Sequence, residues 1–208
     1  MHSDPWSVLV AHSANPTRPV FISYRRRDTA NVAGRLADRI ALEHGEDRVF
    51  LDVDSTRVGA DVAAEVRRRI RASGVLVMLI GCEWHGPGVT GARLDDPEDV
   101  VRIEIEEALR CGVPVVPVLV DGAAMPPASA LPRSIRAITR LSAARLRYDM
   151  FRHDVVLLGE TVRRILDAPA GAGRARATSR VRRVWSRRRR RGARTAPFPR
   201  HPADAGPR

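Results

Sequence analysis

The chain has 208 residues, enough for one domain with extensions, and 44% of them are hydrophobic against only 4% aromatic, so its core must come from Val, Leu, Ile and Ala. Its net charge of +12 is carried by arginine alone and is localised: residues 169–208 hold 13 Arg and one acid, Asp204, whereas residues 1–168 hold 23 Arg against 23 Asp and Glu. The body is therefore electrically balanced, and the overall charge is no sign that it binds nucleic acid. No apolar run approaches the roughly 18–20 residues that span a bilayer. The short apolar stretch at 6–11 follows Asp4, where a secretory signal would carry a basic segment. Two cysteines, Cys82 and Cys111, offer neither a disulfide framework nor metal-ligand spacing, which predicts a reducing, cytoplasmic location and no bound metal.

Residues 1–18 read as a flexible, Pro-containing lead. From 19 to 167, short apolar runs alternate with amphipathic stretches. The runs at 20–24, 49–53, 75–80 and 115–120 are β-branched and continuous, as expected of strands covered on both faces. A weaker fifth lies near 138–146. The spacing predicts a helix over 29–44, N-capped by Asp28 and stopped at Gly45. A second is predicted over 61–72, with Val62, Val66 and Ile70 inward. A third spans 99–111 before Gly112 and Pro114, and a closing helix spans 148–166 with Val155, Leu158, Val162 and Ile165 in register. Strand–helix alternation with short links implies βαβ units. The expected fold is α/β: a flavodoxin-like, doubly wound, five-stranded parallel sheet with flanking helices. Residues 168–208, with five consecutive arginines at 187–191, predict a disordered tail. As a solvated polycation it would bind acidic surfaces or nucleic acid weakly and non-specifically.

One link is longer than its neighbours. Residues 81–98 read GCEWHGPGVTGARLDDPE and follow the third strand, beyond the strand ends where open parallel sheets bind ligands. Neither a phosphate-binding GxxxxGK[ST] nor a GxGxxG after a strand is present. A phosphoacceptor receiver is excluded because strands one and three end in Ser23-Tyr24-Arg25 and Ile80-Gly81-Cys82, without the required acids. The first-strand exit places Ser23, Tyr24, Arg25, Arg26 and Arg27 where a ligand would sit, and Arg suits phosphate while Tyr offers a stacking face. The same residues also read as a solvated basic turn. At the end of the second strand, Asp52 and Asp54 fit turn chemistry. On the third helix, Glu104 lies close to the apolar stripe, while Glu106 and Glu107 are expected nearer solvent. A carboxylate so placed suits reactive work, or it pairs with Arg102 or Arg110 as an ordinary surface glutamate.

The order of these segments carries more than any one of them. "VFISYRRRD", "VFLDVDSTRVGADVAAEVRRRIRAS", "VLVMLIG" and "DVVRIEIEEALRCGVPVVPVLVDG" together resemble a Toll/interleukin receptor (TIR) domain across about residues 19–166. Within that family the chain looks most like the NAD-cleaving kind found in bacteria and in the animal axon-degeneration enzyme. The resemblance implies that Glu104 is the glutamate that cleaves the nicotinamide–ribose bond. It implies that Tyr24, Arg25 and Arg26, together with Ser23, line the nucleotide site, and that Trp84 stands among the loop residues near substrate. NAD+ would be a substrate, with no cofactor. The Ser-x-Trp-Cys-x-x-Glu arrangement of many bacterial members is absent here: Glu83 precedes Trp84, and Glu104 follows twenty positions later. That leaves Glu83 as a second candidate acid. The loop Ser55, Thr56, Arg57, Val58 and Gly59 corresponds to the segment through which such domains pair, with themselves or with other TIR domains. The expected function is a TIR-domain signalling protein that hydrolyses or cyclises NAD+ on self-assembly. The alternative is a non-catalytic adaptor acting through TIR–TIR contacts.

Overall fold

The computed structural model describes residues 18–51, 61–86 and 93–168. Five strands, β1 (Val20–Ser23), β2 (Val49–Leu51), β3 (Val75–Ile80), β4 (Val115–Val120) and β5 (Ala144–Leu146), form one parallel sheet in the order β2-β1-β3-β4-β5. Four helices cover it: α1 (Arg26–His44), α2 (Val62–Ala72), α3 (Val100–Cys111) and α4 (Phe151–Leu166). The doubly wound five-stranded fold expected from the sequence is the observed one.

The continuous apolar strands are continuous because each parity feeds a different layer. Val20 and Ile22 of β1 and Val75, Val77 and Leu79 of β3 join one core with α1 and α4, through Leu36, Ile40, Leu158 and Val162. Phe21, Leu76, Met78 and Ile80 turn to the other face, where Val66 and Ile70 of α2 and Ile105 and Ala108 of α3 meet them. Every residue of β1 and β3 is buried, whereas the edge strand β2 is only half-buried. Because β1 leads outward to β2 and the chain then crosses back to β3, the order reverses between β1 and β3. In open parallel sheets such a reversal is where ligands bind, beyond the carboxyl ends of the strands.

Several boundaries differ from the sequence expectation, each for a local reason. α1 begins at Arg26, three residues early, with Arg25 at its N-cap and a non-helical Thr29 (φ −133°) inside its first turns. Asp28 is therefore not the cap; its carboxylate accepts the backbone N–H of Glu83 at 3.2 Å. α2 is capped by Asp61, which accepts from the Ala64 N–H at 3.1 Å, and buries Val66 and Ile70, but Val62 in its first turn is 41% exposed. α4 starts at Phe151, since 148–150 form the turn leading into it. The predicted fifth strand shrinks to Ala144–Leu146, because Arg136–Arg140 winds into a 3-10 helix instead. The whole β4–β5 link contains no α-helix; Leu131, Ile135 and Ile138 seal that end of the sheet from short turns. α3 ends as expected, at Gly112 in the left-handed region (φ 67°), where a side chain would be strained. The lead 1–17, the outer half of the predicted second strand, the pairing loop at 55–59, residues 87–92 and the tail from 169 lie outside the described residues. No described helix is long and apolar enough to cross a membrane.

Candidate functional site

At the switch point, three segments converge: the β1 exit, the β3 exit and the first turn of α3. Arg25 joins them. Its Nη1 and Nη2 donate to the two carboxylate oxygens of Asp99, at 2.6 and 3.0 Å, and its Nε donates to the Trp84 carbonyl at 3.0 Å. Both side chains of the ion pair are nearly buried, at 7% and 9% exposure. Asp99 is also the N-cap of α3, accepting the Arg102 N–H at 2.9 Å. A second clamp lies beside it, where the Asp28 carboxylate rests over Gly81 as it holds Glu83.

Glu104 stands one and a half turns into α3. The helical repeat places Val101, Glu104, Ile105 and Ala108 on one stripe, and all four are buried, Glu104 to 1% exposure. The other two acids of this helix are differently engaged. Glu106 accepts from Arg102 and from the Ser134 hydroxyl, at 2.8 and 2.6 Å. Glu107 was expected near solvent but is buried, held by Arg110 at 2.6 and 2.9 Å and by Arg71 at 2.5 Å. The Arg110 guanidinium lowers the Glu107 carboxyl to about 2 against the opposing effect of burial, with Arg71 and the Cys111 thiol assisting.

The remaining sequence candidates separate by role. Ser23 closes β1 fully buried, and Tyr24 is half-buried against the α1/α4 core. Arg26 is exposed at the start of α1. The Arg25 guanidinium, expected as a phosphate ligand, is engaged by Asp99 and Trp84. Trp84 is fully buried in the α2/α3 core with Met78, Ile80 and Leu94. Glu83 is exposed and enters the site only through its backbone. Among the described residues, Ser23 Oγ and Trp84 Nε1 are buried polar atoms that make no hydrogen bond. Such a group costs about 1–3 kcal/mol when left unsatisfied.

Asp28 and Asp99 are the participants that sequence reading missed. Asp28 reads as a cap, and Asp99 reads only as the start of a helix, 74 residues from its partner. No local pattern signals a pairing at that separation. An open depression of about 570 Å³ is lined by Arg35 and residues 148–153 and by none of the residues above; there Arg35 covers the Phe151 ring at 3.6 Å. No group of three or more His, Cys, Asp or Glu that could hold a metal occurs among the described residues.

Residues 20–153 match the family described as TIR domain. Among solved structures, the chain is similar to the TIR domains in the structure of the activated Roq1 resistosome directly recognizing the pathogen effector XopQ. That match has 16% identity, covers 82% of this chain and 98% of the other, and has a TM-score of 0.40.

Proposed function

Since the chain belongs to the TIR-domain family and is a TIR-domain signalling protein, we propose that it cleaves the bond between nicotinamide and ribose in NAD+, with Glu104 as the catalytic carboxylate. The observation that carries the reading is the burial of Glu104 on the sheet-facing stripe of α3, the helix whose N-cap is tied to the β1 exit. A glutamate kept in an apolar stripe where an aliphatic residue would pack better has a reason other than stability to be there.

The chemistry suits one carboxylate. Nicotinamide in NAD+ leaves as a neutral base from a cationic ring, so no general acid is required. Positive charge develops on the ribose C1′ and ring oxygen, as in glycoside cleavage. A carboxylate beside that sugar stabilises the charge or orients the attacking group, and its effect is strongest where water is excluded. Water as acceptor gives ADP-ribose; a nucleophile from the substrate itself gives a cyclic product. Ser23, Tyr24 and Arg26 at the β1 exit would bind the nucleotide. Arg25, committed to Asp99, would shape the site from behind.

Chromatography of NAD+ incubated with the purified chain tests this. Glu104→Gln keeps the volume and should remain folded by circular dichroism while losing at least ~100-fold in turnover, the scale of one key electrostatic group. Turnover retained in that variant removes Glu104 from the chemistry. A wild-type protein that consumes no NAD+ at any concentration is instead an adaptor.

A further inference from the structure

Asp99 opens the α3 segment with no role assigned to it by the sequence, yet its carboxylate has three donors on it. Oδ1 caps α3 by accepting the Arg102 N–H at 2.9 Å and also takes Arg25 Nη2 at 3.0 Å, while Oδ2 takes Arg25 Nη1 at 2.6 Å. Arg25 is itself the N-cap residue of α1, its carbonyl accepting the Asp28 and Thr29 N–H groups at 2.9 and 2.8 Å. The ion pair therefore fastens one helix start to another. α1 packs on one face of the sheet and α3 on the other, so the link passes over the sheet's C-terminal edge at the β1/β3 switch point. The third donor of the guanidinium secures the Trp84 carbonyl and with it the β3 exit.

We propose that Asp99 is the positioning residue of the site: through Arg25 it fixes the first turn of α3, and so Glu104, relative to the β1 and β3 exits. The proposal rests on the reading of Glu104 as the catalytic carboxylate. Glu104 follows Asp99 by five residues, about 7.5 Å along the helix axis. Any slide or tilt of the α3 start is transmitted to that carboxylate, and misplacement by 1 Å is enough to cost about 100-fold in a positioned reaction. Capping alone does not require an aspartate, because Ser and Asn cap equally well. Only an acid also meets a guanidinium with two parallel charged hydrogen bonds. At 7% and 9% exposure, neither partner has water to replace the other.

The distinction between cap and ion pair supplies the test. Asp99→Ser keeps the cap and removes the fork; Asp99→Asn keeps cap and size and removes the charge, and serves if the serine variant does not fold. Each is compared with wild type and Glu104→Gln for NAD+ turnover, in full-length protein labelled with 5-fluorotryptophan. The Trp84 fluorine resonance is assigned by Trp84→Phe among the three tryptophans. The expected result is a fall in kcat of at least tenfold, KM within about threefold, and a shifted or broadened Trp84 resonance in folded protein. Wild-type kcat, a loss confined to KM, or an unmoved Trp84 resonance overturns the proposal. A wild-type protein without activity ends the catalytic reading separately. The Trp84 resonance then decides whether Asp99 holds the segments at all: unmoved, the positioning role falls; displaced, it stands.

Discussion

Gly81 sits so close under Asp28 that a Cβ there would overlap both carboxylate oxygens. Asp28 cannot withdraw freely, because the same carboxylate holds the Glu83 N–H. Gly81→Ala should therefore destabilise the fold by about 1–3 kcal/mol. Adding Asp28→Ala should recover part of that loss in chemical denaturation, since the overlap is then gone. Glu107 makes a second prediction at this scale. Its carboxyl titrates at about 2, below the ordinary 4.5, because Arg110 and Arg71 favour the ionised form. A folded value below the unfolded one adds stability that is complete above about pH 4.5 and is lost as pH falls toward 2. Glu107→Gln should lower stability at pH 7 by about 1–3 kcal/mol and flatten its fall between pH 5 and 3, measured by urea midpoints across that range.

Among the helices, α2 shows how far periodicity reaches. Val62, Val66 and Ile70 share one stripe by spacing, yet Val66 and Ile70 are fully buried while Val62 is 41% exposed. The stripe runs out in the first turn, at the helix end. Ile70→Ala should cost about 2–5 kcal/mol through lost contacts and a cavity, and Val62→Ala no more than about 0.5 kcal/mol, by thermal or chemical unfolding. The same logic explains Glu107. It follows the stripe by three residues from Glu104, and α2 packs close enough for Arg71 to reach across to it. The neighbouring helix turned an expected surface acid into a buried one.

For the whole molecule, the sheet order decides where chemistry is placed. The reversal between β1 and β3 gathers the ends of two buried strands and the start of α3 at one edge. TIR domains typically self-associate, and the proposed activity is expected to depend on it. NAD+ consumption per mole of protein should then rise with protein concentration; constant specific activity over a hundredfold range would show that one copy suffices.

Composition and periodicity alone determined the parallel α/β architecture, the positions of β3 and β4, the starts of α2 and α3 to within one residue and the Gly112 stop. These are local, arising from β-branched runs, apolar spacing and cap chemistry within a few residues. The family resemblance was legible in the same way, as an order of short segments, and it pointed to Glu104. What the chain could not reveal by itself was which charges meet. By sequence Arg25 reads as a ligand-binding cation, yet it is committed to Asp99, 74 residues away; Asp28 reads as a cap, yet it spans to the β3 exit. The fifth strand was overextended because the apolar residues around Ile138 pack as a 3-10 helix over the sheet edge. Pairings of this kind are set by how elements stack, and a carboxylate chooses its guanidinium only when folding has brought both out of water.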